Sequence, residues 1–166
     1  PYTTLFRSDV VINVQGDEPF IQQKQLEIIK RCFTDITTQI ATLIKKIDSR
    51  DELFNPNKPK VIVNQNREAI YFSRSAIPHI RNRNEKNWLE HHTFYKHIGL
   101  YAYRKDILQK LAGLSPTFLE KAESLEQLRW IENGYTVKTG ETNLESYSVD
   151  TKEDVKKIEK EFANLL

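Results

Sequence analysis

The sequence predicts an α/β protein built on a largely parallel or mixed sheet. Three observations carry that prediction. Short apolar or alternating runs recur along the chain and read as strands. Stretches with apolar residues at helical spacing fall between them. The 166 residues, 39% hydrophobic and 29% charged, suffice for one domain with a real core. A net charge of +2 leaves no polybasic footprint for nucleic acid or an anionic membrane. No apolar run has the length of a bilayer-spanning helix. Cys32 is the only cysteine, so no internal disulfide can form and a reducing, cytoplasmic setting is expected.

Taken in order, residues 1–8 read as a leader foreign to the fold, and residues 9–166 as part of a single domain. Val10-Val11-Ile12-Asn13-Val14 reads as a buried strand, which Gly16-Asp17-Glu18-Pro19 stops abruptly. Pro19 cannot continue a strand, so Asp17 falls just past a strand's carboxyl end, the edge where open α/β sheets bind ligands. The plain alternative is a solvated turn acid. Leu26, Ile29 and Phe33 give residues 22–33 the spacing of a surface helix. Residues 38–47 read as a strand. Ser49 with Glu52 three residues on reads as a capped helix start, ended by Asn55-Pro56-Asn57-Lys58-Pro59. Residues 60–63 and 69–73 are strands joined by the turn Asn64-Gln65-Asn66. Residues 75–89 form the longest candidate loop. A strand over 95–103 and a helix over 104–111 follow. Ser115-Pro116 then introduces one long helix over 117–133, closed by Gly134. A strand over 135–139 and a last helix over 151–165, with Val155, Ile158 and Phe162 on one face, complete the pattern.

Six stretches, VINVQGDEPF, FNPNKPKVIV, AIYFSRSAIPHIR, HIGLYAYR, LEKAESLEQLRWIENGY and VDTKEDVKKIEK, together resemble the 3-deoxy-manno-octulosonate (Kdo) cytidylyltransferases. They run in that family's order from about residue 9 to the end. The basic, glycine-containing phosphate loop with which the family begins, and the cytosine-recognising residues after it, have no counterpart. The five glycines here are spread singly. Residues 9–166 are therefore expected to be the C-terminal two-thirds of a single cytidylyltransferase domain whose N-terminal part is missing, and the 166-residue chain is expected to be inactive alone. The resemblance implies a Rossmann-like nucleotide-diphospho-sugar transferase fold with a mixed sheet. It also implies transfer of a cytidylyl group from CTP to Kdo, giving CMP-Kdo and pyrophosphate for lipopolysaccharide biosynthesis, with Mg2+ as cofactor. Such phosphoryl chemistry rests on positioning and charge neutralisation. Two readings stand beside it: a cytidylyltransferase for another sugar acid such as a sialic acid, and a catalytically silent binding or dimerisation fragment.

By the same resemblance, Asp17 and Asp150 are the catalytic carboxylates that hold magnesium. Spacing alone makes Asp150, three residues before Glu153, a helix cap. The family's usual Gly and Pro around this acid are Ser148 and Lys152 here. Gln15, Arg74, Arg81, His97, Tyr101, Glu126 and Gln127 match the family's substrate contacts. Arginine suits the sugar's carboxylate, because a planar guanidinium makes paired, charge-assisted bonds. Without the resemblance, Arg81 reads as a solvated charge and Glu126 and Gln127 as a helix surface. His97 and Tyr101, an even number apart on one strand, then read as core residues. His91 and His92 follow no recognised zinc spacing, and Cys32 reads as packing. Family members form homodimers, and the run Ile98-Gly99-Leu100-Tyr101-Ala102-Tyr103 is a candidate interface, with an ordinary buried strand as the equal alternative.

Overall fold

The computed structural model describes residues 9–14 and 21–145. Within them the chain runs β1 (Val10–Asn13), α1 (Gln23–Arg31), β2 (Ile40–Lys46), α2 (Arg50–Phe54), β3 (Lys60–Val63), β4 (Ala69–Ser73), α3 (Trp88–His91), β5 (Tyr95–Arg104), α4 (Lys105–Leu111), α5 (Phe118–Glu123), α6 (Gln127–Glu132) and β6 (Val137–Glu141). Helices and strands alternate as the sequence predicts. Ser49 caps α2, its hydroxyl accepting from the Glu52 amide at 3.2 Å.

The sheet has the order β4-β3-β5-β2-β6, with β1 also paired to β5. It is mixed: β5 is antiparallel to β1, β2 and β3, and β6 is parallel to β2. Since β2 fills one edge of β5, β1 and β3 share the other. There β3 pairs with Tyr95 and Lys96, and β1 with Tyr101 to Arg104. The exit of β1 and the entry of β3 thus face each other across a notch beside residues 97–100. The Pro59 carbonyl reaches into it and accepts from the His97 amide at 2.9 Å.

Strand alternation divides the core into two layers. On one face Ile40 and Ile44 of β2 join Tyr101 and Tyr103 of β5, Phe72, and the helical residues Ile107, Leu111, Leu128 and Trp130. On the other, Ala41, Leu43, Ile98, Leu100 and Ala102 pack against Ile29 of α1. A third cluster joins Ile47, Leu53, Trp88 and Phe94. At β6, Gly140 lets α1 approach closely: a Cβ there would stand 2.7 Å from Ile28 Cγ2 and 3.3 Å from Cys32 Sγ. Cys32 is half-buried at this contact, and burial pushes its thiol pKa up, so it packs as expected.

Four expectations are corrected. The first strand is not buried: Val10, Val11 and Ile12 are half-buried and Asn13 and Val14 exposed, because β1 covers only part of one edge of β5. The long helix over 117–133 is two short helices, broken at Ser124 in the left-handed region with φ 51°. The loop over 75–89 ends in a 3-10 turn at Glu85–Asn87 and the start of α3. Ile98, Leu100, Tyr101, Ala102 and Tyr103 are buried within the single chain, so this run is interior and not an interface. The helix expected over 151–165 lies outside the described residues.

Candidate functional site

Alternation on β5 sends His97 and Tyr101 to the same face, their ring centroids 5.1 Å apart. Phe72 of β4 meets the His97 ring edge-on at 5.3 Å, and Tyr103 stacks beyond Tyr101 at 6.1 Å. Helix α6 lies over this aromatic row because Trp130 sets its ring across both tyrosines, 5.0 Å from Tyr101 and 5.5 Å from Tyr103. Gln127, one turn before Trp130 on the same helical face, is therefore buried against the row. Glu126, at the helix entry, is exposed, its carboxylate 3.5 Å from the Arg129 guanidinium. Burial pushes the Tyr103 phenol pKa up, while a hydrogen bond with Asn13 at the exit of β1 opposes the shift.

Arg74 immediately follows β4. Its Nε donates to the Glu123 carbonyl at 2.6 Å, one terminal nitrogen to the Pro56 carbonyl at 3.0 Å, and the other to the Ser124 carbonyl at 3.2 Å. Its backbone amide donates to the Glu123 carboxylate at 2.9 Å, and Ser73 Oγ does so at 2.6 Å. Arg74 therefore fixes the turn that delivers Glu126 and Gln127. Within the described residues, carbonyls engage three of the guanidinium's five N–H groups.

His97 Nε2 lies 2.9 Å from Thr42 Oγ1. Burial depresses the imidazole to a pKa of about 3, so the ring is neutral across the physiological range. The structure thus gathers Arg74, His97, Tyr101, Glu126 and Gln127 over one face of the sheet. Arg81 is exposed in the loop after β4, with no bond to that group. Gln15, Asp17 and Asp150 lie outside the described residues.

Three features escape the sequence. Thr42 reads as one more strand residue, yet its hydroxyl touches His97 and two main-chain carbonyls. Lys60 is wholly buried beside Arg74 and Glu123. Its amine donates to the Asn55 carbonyl at 2.8 Å, and burial lowers its pKa to about 8, Glu123 resisting the shift and Arg74 adding to it. The third is a ladder of alternating charges. Lys58 reaches Glu52 at 2.6 Å, Lys96 bridges Glu52 at 2.5 Å to Glu145 at 2.8 Å, and Lys45 closes on Glu145. Burial alone would raise both glutamates' pKa values, but the lysine bonds outweigh it and hold them low. Ser49-x-x-Glu52 signals only a cap, so nothing local reveals the ladder. The ladder lines a cleft of about 410 Å3, and a larger one of about 550 Å3 lies along β3, Pro78 and residues 90–95. No sequence-predicted site residue lines either cleft. Among the described residues no group of three or more His, Cys, Asp or Glu could hold a metal, and no helix is long and apolar enough to cross a membrane.

Comparison with known proteins gives these features a common frame. A solved structure of a CMP:2-keto-3-deoxy-manno-octonic acid synthetase complexed with CTP superposes with a TM-score of 0.87 and 37% identity, covering 99% of this chain and 66% of that one. The nucleotide-diphospho-sugar transferase-like α/β fold is thereby shown. The 3-deoxy-manno-octulosonate cytidylyltransferase of Parabacteroides distasonis is 57% identical over 153 residues, 90% of this chain and 61% of the relative. That of Phocaeicola vulgatus is 54% identical over 162 residues, 95% of this chain and 64% of the relative. The chain thus spans less than two-thirds of the length of these curated relatives. The family model described as cytidylyltransferase matches residues 3–142. On that match the chain belongs to the cytidylyltransferase family.

Proposed function

We propose that the full-length protein transfers a cytidylyl group from CTP to Kdo, giving CMP-Kdo and pyrophosphate. The observation that carries this reading is the 57% identity to a 3-deoxy-manno-octulosonate cytidylyltransferase. The clustering of Arg74, His97, Tyr101, Glu126 and Gln127 supports it, since a polyhydroxylated acid requires donors and acceptors of mixed type. In the reaction the anomeric hydroxyl oxygen of Kdo bonds to the α-phosphorus, the bond from that phosphorus to the pyrophosphate oxygen breaks, and the hydroxyl proton passes to solvent water.

The chain's own residues have three tasks. Arg81, and the two Arg74 N–H groups not engaged by described carbonyls, take the sugar carboxylate. His97, Tyr101, Glu126 and Gln127 hold its hydroxyls in one orientation, which brings the attacking oxygen into line. Asp17, with Gln15 two positions before it in the sequence, and Asp150 serve the phosphate side. Paired carboxylates fit magnesium, a hard cation that takes a few carboxylates and completes its octahedron with water and phosphate oxygens. When bound there it supplies charge neutralisation between two negative reactants. A homodimer, implied by the resemblance, then uses surfaces other than the buried run on β5, and the cytoplasm is the proposed setting.

Pyrophosphate release by the full-length protein tests the reading, with CTP, magnesium and either Kdo or a sialic acid. Release with Kdo and none with the sialic acid is expected. Release with the sialic acid alone would transfer the assignment to the other sugar, and none with either would leave a binding module.

A further inference from the structure

The pairing of β2 with β5 slips at one point: Thr42 lies opposite Tyr101, but Leu43 lies opposite Ile98. Gly99 and Leu100 are therefore extra residues on β5, and the main chain bulges there. Thr42, wholly buried, places its hydroxyl at the bulge. Oγ1 is 2.9 Å from the Leu100 carbonyl oxygen, 3.2 Å from that of Ile98 and 2.9 Å from His97 Nε2.

These distances fix where the hydrogens are. Carbonyl oxygens only accept, and a threonine hydroxyl has a single hydrogen to donate. At 2.9 Å the hydrogen must lie between Oγ1 and Leu100, or two lone pairs would face each other in a buried setting. The hydroxyl then meets Nε2 with a lone pair, so Nε2 carries the ring's N–H. A neutral imidazole has one N–H, which leaves Nδ1 as an acceptor. No described residue bonds Nδ1. The depressed pKa of the ring is consistent with this neutral form.

We propose that Thr42 is the positioning residue that locks His97 in its Nε2–H tautomer, so that Nδ1 accepts from a hydroxyl of the sugar acid and turns its carboxylate away. The proposal rests on the reading of the site as a sugar-acid site and deepens it. An acceptor repels a carboxylate and attracts a hydroxyl, so the arginines and His97 divide the ligand between them. A sugar acid lacking the hydroxyl that meets Nδ1 leaves this acceptor unpaired and is rejected.

Nitrogen-15 NMR of histidine-labelled full-length protein tests the lock without any substrate, the His97 signals being assigned by their loss in His97→Gln. Wild type is expected to show a protonated Nε2 and a bare Nδ1, unchanged from about pH 8 to about pH 5.5. Thr42→Val should give mixed tautomers or a titrating ring, and Thr42→Ser should restore the wild-type signals. In kinetics, Thr42→Val should raise KM for Kdo by about tenfold and KM for CTP by less than about twofold, again with recovery in Thr42→Ser. A wild-type Nδ1–H tautomer, or a Thr42→Val protein with unaltered signals, overturns the lock. A lost lock with an unchanged KM for Kdo overturns the role in sugar recognition. Failure of wild type to turn over Kdo and CTP overturns the functional reading, and the NMR arm still decides the lock.

Discussion

His97 carries a consequence for stability that its neighbours make measurable. Unfolded, its imidazole titrates near 6.5, and folded near 3. Between those values the unfolded chain binds a proton that the folded chain refuses. Stability is therefore full above about pH 6.5 and falls as the pH drops toward 3, by about 1.4 kcal/mol per pH unit. Urea denaturation of wild type and His97→Gln, from about pH 6.5 down to about pH 5, is expected to show the steeper loss in wild type; equal slopes would mean that the folded ring protonates freely. His97 and Tyr101 were legible as a pair because their even spacing survives the bulge, which inserts two residues and so preserves alternation. Thr42 was not legible. A threonine in an apolar strand reads as core filler, and its role arises from a bulge in a strand 55 residues away.

At the level of elements, the break between α5 and α6 matters most. The sequence shows a capped start, and Thr117 and Glu120 form the capping box, but Glu123-Ser124-Leu125 contains no Gly or Pro to signal a stop. The break is imposed from outside, by Arg74 holding the carbonyls of Glu123 and Ser124 while Ser124 takes φ 51°. A non-glycine residue in that region costs about 1–2 kcal/mol, which the clamp must offset. Arg74→Lys keeps the charge and loses the planar fork. It is expected to destabilise the protein by about 2–3 kcal/mol in urea denaturation, near 1 kcal/mol for each bond lost. Adding Ser124→Gly should recover part of that loss, because glycine adopts positive φ without strain. Arg74→Lys with wild-type stability would show that the turn stands without the clamp.

Across the whole molecule, strand direction decides where the chemistry can assemble. The α/β class was legible from alternation, whereas the order of strands was not, because pairing depends on partners far apart in sequence. That order sets β1, β2 and β6 running the same way, β1 and β2 both antiparallel to β5 and β6 parallel to β2. The chain leaves β1 at Asn13 and β6 at Glu141 on one edge of the sheet, and Asp17 and Asp150 follow soon after each exit in sequence. Beyond β6 the Thr142 amide donates to the Ile44 carbonyl at 2.9 Å, and Glu145 is bonded to Lys45 and Lys96. The last described residues are thus tied to β2 and β5 as they leave that edge. Loss of residues behind a metal ligand typically lowers affinity 10- to 100-fold, so loss of a ligand itself should exceed about 100-fold. In the full-length protein, Asp17→Asn and Asp150→Asn are each expected to weaken magnesium binding beyond that bound and to abolish magnesium-dependent turnover. Far-ultraviolet circular dichroism and the urea midpoint should stay near wild type, since Asp→Asn removes a charge with almost no change in side-chain size. Calorimetric titration of magnesium in the presence of CTP measures the effect directly. Near-normal affinity and turnover in either variant would remove that residue from the metal site.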